Sequence, residues 1–271
     1  MTNVTYQQLK RSLSASERMP VIFLGHGSPM NIIEDNRYSR SWMELGASLP
    51  TPQAILVLSA HWMSQGSTLV DVSAQPRTIH DFYGFPKALY EEQYPAPGAP
   101  RLAREVVQLL DHINSHEDEK WGLDHGAWAL LKFLYPEANV PVFQMSIDVT
   151  KPLDWHLNLG KTLRELRHRG VLIIGSGNVV HNLRALDLDG HVHDWALEFD
   201  DKVGQALQTR RFSSLADTRE LGSLLYQANP TLEHYVPALT VAGASDEQDR
   251  LFSITGGIEL GAVSMRSFLF Y

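Results

Sequence analysis

The apolar positions of the chain fall into two patterns. Three short, nearly unbroken runs, VIFLG (21–25), AILVLSA (54–60) and VLIIGSG (171–177), each stop at small or turn-forming residues. Runs of this length predict strands covered on both faces, where no position is left for a polar residue to alternate. PVFQMSID (141–148) and the C-terminal AVSMRSFLFY (262–271) are predicted to join the same sheet. Between the runs, apolar residues recur at helical spacing in APRLAREVVQLLDHI from Ala99, GAWALLKFLYP from Gly126 and PLDWHLNLGKTLRELRHRG from Pro152. The last of these opens on a proline and closes on basic residues and Gly170, as helix ends prefer. Segments 193–210 and 214–227 predict two further helices, largely exposed. Strands alternating with helices of this length predict an α/β fold: a single domain with a central, largely parallel or mixed sheet flanked by helices.

No stretch is biased enough in composition to act as a linker, and no period of a repeat array is present. The expected organisation is a polar N-terminal arm over residues 1–18 and one domain over 19–271. The longest irregular region, 74–98, is rich in proline, glycine and aromatic residues. Its aromatics predict an ordered wall over a pocket rather than a disordered loop.

The strand-like runs end in histidines. His26 follows the first run in LGHGS, His61 follows the second in LSAHW, and His181 lies a few residues beyond the third in GSGNVVHN. Open parallel sheets bind ligands outside the carboxyl ends of their strands, where loops converge, so these imidazoles are predicted to meet in one crevice. A single strand-end histidine is more often a core or capping residue bonded to a backbone carbonyl than a ligand. Two in equivalent positions, His26 and His61, favour a shared metal ion, because a buried imidazole needs partners for both nitrogens and no side-chain acceptor stands next to either in sequence. For His181 both readings stay open.

In NPTLEHYVPAL, Asn229 and Pro230 resemble an N-cap and first helical residue, which puts Glu233 and His234 in a first turn. Adjacent helical residues point about 100° apart, so only one of the two can face a given ion. His125, in GLDHGAW, sits at a predicted helix start and either faces the same side of the sheet or is incidental to a capping loop. Two other motifs fail: GSGNVV lacks the third glycine of a dinucleotide fingerprint, and GHGSP does not satisfy the G-x-S-x-G of a nucleophile elbow. His112 with His116, and His191 with His193, have ligand-like spacings in charged surroundings and read as surface imidazoles.

Composition narrows the chemistry further. With 23 Lys and Arg against 31 Asp and Glu among 271 residues, the formal charge is −8, which argues against nucleic acid or anionic lipid as partner. The absence of cysteine excludes thiolate ligands and thiol nucleophiles, so any metal must sit on His, Asp or Glu. No apolar stretch has the length of a signal peptide or a membrane span, and the expected location is cytoplasmic.

Taken together, LGHGSPMN, SAHW, TIHDFYGFP, YPAPG, GLDHGAW, QMSID and GSGNVVHNLR resemble the class III (LigB-type) extradiol ring-cleavage dioxygenases, most closely the DOPA-cleaving bacterial branch, from about residue 19 to the C-terminus. The resemblance implies an enzyme that opens a catechol ring beside its two hydroxyls with O2 at a non-haem metal centre. It implies His26, His61 and His234 as metal ligands, Glu233 as the fallback third ligand, and His181 as acid/base residue or fourth ligand. It further implies that His125 faces substrate or oxygen. Trp62, His80, Phe82, Tyr83 and Phe85 are expected around the substrate ring, with plain core packing as the alternative for several of them.

In the better-known branch of the family a glutamate is the third ligand. Exchanging it for imidazole leaves the donor set neutral and suits Zn(II) as well as Fe(II), although only iron offers a redox step toward O2. Two rivals stand beside this reading. One is a zinc-dependent hydrolase using the same histidines, and the other is a binding module that has kept the pocket without turnover.

Overall fold

The computed structural model describes residues 5–14 and 18–271. The apolar runs become the centre of a mixed eight-stranded sheet. Its strands are β1 (Val21–Gly25), β2 (Ala54–Ser64), β3 (Thr68–Asp71), β4 (Ser115–Asp118), β5 (Val142–Asp148), β6 (Val171–Gly177), β7 (Leu251–Thr255) and, after a two-stranded hairpin of β8 (Ile258–Glu259) and β9 (Val263–Ser264), β10 (Ser267–Phe270). Their order across the sheet is β4-β3-β5-β2-β6-β1-β10-β7. The four central strands, β5, β2, β6 and β1, run parallel, whereas β10 and β7 on one side and β3 on the other pair antiparallel to their inner neighbours.

Every residue of β1, β5 and β6 is buried, which explains why these strands read as unbroken apolar runs. The alternation is carried by the two faces instead. Val21, Phe23, Leu56, Leu58, Phe143 and Ile173 point into one hydrophobic layer, and Ile22, Leu24, Ile55, Val57, Val142 and Ile174 into the other.

The helices are α1 (Tyr6–Ser14), α2 (Arg37–Gly46), α3 (Lys87–Glu91), α4 (Pro100–Leu109), α5 (His125–Leu134), α6 (Leu153–Leu163), α7 (Glu165–His168), α8 (Asp194–Gln208), α9 (Phe212–Ala216), α10 (Thr218–Ala228) and α11 (Val236–Ala244). Helices α1, α2 and α5 pack on one face, and α4, α6, α8, α10 and α11 on the other. Helix α11 is buried along its whole length. It lies against α6 with backbone in contact with backbone: a Cβ on Gly243 would stand 1.9 Å from the Leu157 carbonyl oxygen, and one on Gly160 2.1 Å from that of Thr240.

Several expectations are revised. Within the segment read as a polar arm, residues 6–14 form α1, whose Leu9 and Leu13 sit i,i+4 on its inner face and are buried, while residues 1–4 and 15–17 lie outside the described residues. The helix expected over 214–227 is broken at Asp217, which caps the N-terminus of α10 by accepting from Arg219 and Glu220. Asn229 is not an N-cap: it closes α10, residues 230–235 are irregular, and α11 begins at Val236 with Pro237 in its first turn. Of the C-terminal run only Ser267–Phe270 joins the main sheet, while Val263–Ser264 turns back on β8.

One ion pair ties the two ends of the domain together. The fully buried Arg167 guanidinium reaches Asp249 at 2.6 Å and donates to the Met19 carbonyl at 2.7 Å.

Gly243→Ala is expected to destabilise the protein by about 1–3 kcal/mol or more, because the added methyl meets rigid backbone. Gly256→Ala, where nothing lies within 4 Å, is the matched control. Thermal unfolding of the two variants beside the parent checks this; equal midpoints for all three would refute the tight α6–α11 contact.

Candidate active site

The parallel strands separate where the site begins. Pairing of β2 with β6 ends at Ser59–Ser176, and the register of β2 against β5 shifts between Leu58 and Met63. His61 therefore lies inside β2, not past its end, at the point where the sheet opens into a crevice. His26 follows β1 directly, its backbone N–H donating to the Gly177 carbonyl at 3.1 Å.

His234 reaches the same place from the irregular segment before α11. Asn178 N–H donates to its carbonyl at 2.9 Å, and Gly177 makes room, since a Cβ there would lie 2.2 Å from the His234 oxygen. The glycines of GSG thus admit a neighbouring backbone instead of a phosphate. His125 opens α5, whose N-cap Asp124 is buried and held by Ser59 at 2.6 Å and Gln144 at 2.8 Å. That network fixes the start of the helix to β2 and β5.

Five imidazoles share the resulting cavity, whose volume is 870 Å³. The ring centroids of His26, His61 and His234 form a nearly equilateral triangle with sides of 5.0, 5.2 and 5.3 Å. His125 lies 4.0 Å from His61, and His181 stacks on His234 at 3.5 Å with the planes 9° apart. His181 is held in this position by its backbone N–H, which donates to Ala228 O at 2.9 Å, and by an isolated bridge to Val263.

The outward-facing nitrogens have oxygen neighbours. Nδ1 of His26 is 2.9 Å from Ser176 Oγ, Nδ1 of His125 is 2.9 Å from Asp81 Oδ2, and Nδ1 of His234 is 3.0 Å from Glu233 Oε1. A carboxylate only accepts, so Glu233 favours the His234 tautomer that carries hydrogen on Nδ1 and leaves the Nε2 lone pair free, whereas Nδ1 of His125 makes no hydrogen bond despite its closeness to Asp81. Asp81 also stands 3.4 Å from His61 Nδ1 and accepts the His125 backbone N–H at 2.8 Å. Neither Asp81 nor Ser176 was singled out from sequence. Both sit within motifs that were quoted, HDFYGFP and GSGNVVHN, but their partners are distant in the chain. Glu233, expected as the fallback ligand, here supports its neighbour.

Burial favours the neutral form of His26, His61, His181 and His234. It is the largest effect lowering the affinity of His26 and His234 for protons, reinforced by the other rings around them. Burial and neighbouring His125 take His61 down to about 3, and burial takes His181 to about 4 against the opposing pull of Glu233. Burial opposes ionisation of Asp81, yet His125 and His61 hold its carboxyl below the ordinary value.

Neutral imidazole is the form that binds a metal cation. The donor set also fits one geometrically. His26 Nε2 and His61 Nε2 are 3.3 Å apart, and two nitrogens at about 2.0–2.1 Å from a common tetrahedral ion stand about that far from each other. One ring nitrogen each from His26, His61 and His125 lies within 4.8 Å of the others, and the same holds for donor atoms of His181, Glu233 and His234.

The aromatic residues expected around the substrate lie elsewhere, Phe85 excepted, which lines the cavity. Trp62 points away from His61, as successive residues of a strand must, and stacks on Trp121 with centroids 5.3 Å apart. Tyr83 is 91% exposed beside Gly84 in the loop. His80 is held by the Glu92 carbonyl at 2.8 Å and packs on Trp128, and Phe82 supports His125 from behind, edge to face, at 5.5 Å. His112 and His116 are exposed.

A buried neutral histidine makes stability depend on pH with a definite sign. The unfolded chain protonates its histidines near about 6.5, whereas folded His181, and likewise His156 on the buried face of α6, take a proton only at about 4. Across that window the unfolded state binds more protons, so stability rises with pH and is lost as pH falls. The metal-free protein is expected to lose thermal stability steadily from about pH 6.5 to about pH 4; a flat melting profile over this range would show that the rings titrate in the native state as they do in the unfolded chain.

The chain's relatives bear on what such a site does. A family model described as the catalytic LigB subunit of aromatic ring-opening dioxygenase matches residues 20–263. The chain is 47% identical over 268 residues to 4,5-DOPA dioxygenase extradiol of Escherichia coli K12, covering 96% of this chain and 97% of that protein. It is 37% identical over 259 residues to the protein of the same name from Beta vulgaris, covering 92% and 95%. A crystal structure of an uncharacterized protein from Escherichia coli K12 superposes with a TM-score of 0.81 at 43% identity, covering 93% of this chain and 99% of that one. The Escherichia coli and Beta vulgaris relatives named as dioxygenases disfavour the zinc-hydrolase reading. The converging histidines and these likenesses agree: the chain belongs to the LigB family of aromatic ring-opening dioxygenases.

Proposed function

We propose that the protein opens the ring of a DOPA-like catechol beside its hydroxyls, using O2, at a divalent metal held by His26, His61 and His234. The observation that carries this reading is the triangle of three imidazoles, His26 and His234 buried and His61 partly so, with a fourth, His181, stacked against one side. His125 is the competing third ligand, since it too offers a nitrogen near His26 and His61. The near-equal spacing of the triangle and the Glu233 carboxylate behind His234 favour His234. When bound, Fe(II) supplies the redox step between the catechol and O2. Zn(II) suits the same neutral donors but offers no such step.

The remaining work belongs to the chain. His181 is unprotonated at neutral pH, so it is ready to take the proton of a catechol hydroxyl and return it later in the cycle. His125, whose backbone N–H donates to Asp81 and whose ring lies 2.9 Å from that carboxylate, orients the oxygen atoms of the substrate. Phe85, Met265 and Val263 provide an apolar wall for the ring and limit water. The lack of cysteine and the acidic surface are compatible with a cytoplasmic enzyme acting on a small molecule.

Anaerobic reconstitution with Fe(II), followed by O2 and a panel of catechols, tests the reading. A yellow ring-opened semialdehyde is expected, and its absence for every catechol, or turnover that proceeds without O2, overturns it. His61→Ala is expected to lose both metal and turnover. His181→Ala is expected to retain metal while its turnover falls about 10²–10⁴-fold. Metal content of His234→Ala against His125→Ala decides the third ligand: loss in the first and retention in the second supports His234.

A further inference from the structure

The cavity that ends in the histidines has a second polar end. Arg37, the first residue of α2, and Glu259, on β8, line the same cavity and pair at 2.8 Å. They are exposed, 64% and 45% by side chain, whereas the histidines at the other end are mostly buried, so this pair marks the mouth. Between the two ends the lining is mainly apolar, with Pro29, Met30, Phe85, Leu183, Leu260 and Met265. A surface ion pair of this kind contributes little to stability, yet this one is carefully held. The Tyr38 hydroxyl contacts both Arg37 and Glu259, and the Arg37 guanidinium lies 4.6 Å over the Tyr38 ring. Tyr38 itself is buried, and the start of α2 is fixed by a capping box between Asn36 and Ser39.

Glu259 is fixed from the other side. It pairs with Val263 across the β8–β9 hairpin, and Val263 is bridged to His181. One short hairpin therefore ties the charge at the mouth to the acid/base histidine inside.

We infer that Arg37 and Glu259 select catechols carrying a zwitterionic amino-acid tail, Arg37 taking the carboxylate and Glu259 the ammonium while the ring spans the apolar stretch to the histidines. The inference rests on the ring-cleavage reading above and assigns its substrate specificity to residues at the mouth. The size of the cavity suits it, because 870 Å³ is room for a drug-sized ligand and exceeds what a bare dihydroxybenzene fills. The charges suit it as well. Glu34 also lines the cavity, so a tail bearing only a carboxylate meets one cation and two carboxylates, and a tail bearing only an amine competes with Arg37 for Glu259 and returns no anion to it.

The test compares L-DOPA, dopamine, 3,4-dihydroxyphenylpropionate and 4-methylcatechol on the Fe(II)-reconstituted full chain. Affinities are measured by anaerobic calorimetry, and kcat/KM follows after O2 is admitted. Values are read as ratios to 4-methylcatechol, which has no charged tail. Arg37→Met is expected to lower the ratios for L-DOPA and the propionate about five- to tenfold and to spare that of dopamine. Glu259→Gln is expected to lower those for L-DOPA and dopamine and to spare that of the propionate. This crossed pattern, in affinity as well as in kcat/KM, supports the assignment. Ratios unchanged in both variants, or all three lowered equally, overturn it while leaving ring cleavage intact. If the parent protein cleaves no catechol at all, the ring-cleavage reading falls and this inference with it.

Discussion

The constraint on which this structure depends is the burial of several imidazoles in one cavity. A ring removed from water must find partners for both nitrogens or leave one for a ligand. Here Nδ1 of His26 and of His234 is met by Ser176 and Glu233, while ring nitrogens of His26, His61 and His125 lie within 4.8 Å of one another. Crowding and burial favour the uncharged form of His26, His61, His181 and His234, which is the state a cation requires. The same arrangement that makes the site able to hold a metal makes it costly to protonate.

The fold exists to hold those five positions at once. Parallel pairing of β1, β6 and β2 brings the ends of the strands to one edge, and the parting of β2 from β6 beyond Ser59 and Ser176 opens the space that His61 enters. Glycines at that edge are exchanged for close approach. Gly177 admits the backbone of His234, and a Cβ on Gly126 would stand 2.9 Å from the His61 ring. Buried polar links such as Ser59–Asp124–Gln144 then fix α5, and with it His125, to two strands. Geometry of this kind positions catalytic groups from rigid elements, which loops alone do not achieve.

The cavity combines two environments of opposite character. Its inner end is desolvated and neutral, suited to hold an ion and move protons. Its outer end carries full charges in contact with water, where they discriminate without stabilising much. An apolar stretch separates them, and the β8–β9 hairpin touches both through Glu259 and Val263.

Much of this is legible in the sequence, for physical reasons that differ by element. The central strands are evident because residues buried on both faces must be apolar without interruption, and His26, His61 and His181 stand out because they follow such runs. Helix α2 is not among the predicted helices, although Tyr38, Trp42 and Leu45 recur at helical spacing behind the Asn36 cap, because the positions between them are mostly polar. Strands β3, β4 and β7 are short and lie at or near the sheet edges, where half-exposed positions carry little pattern. What the sequence determined by itself is the class of fold, the chemistry of the available donors and the exclusion of thiol chemistry. Which donors meet was decided only by the tertiary structure. The partners of Asp81, Ser176, Glu259 and Arg37 are separated from them by stretches of chain whose path no local pattern encodes, and the side of the strand to which Trp62 points follows from the facing of its neighbour His61.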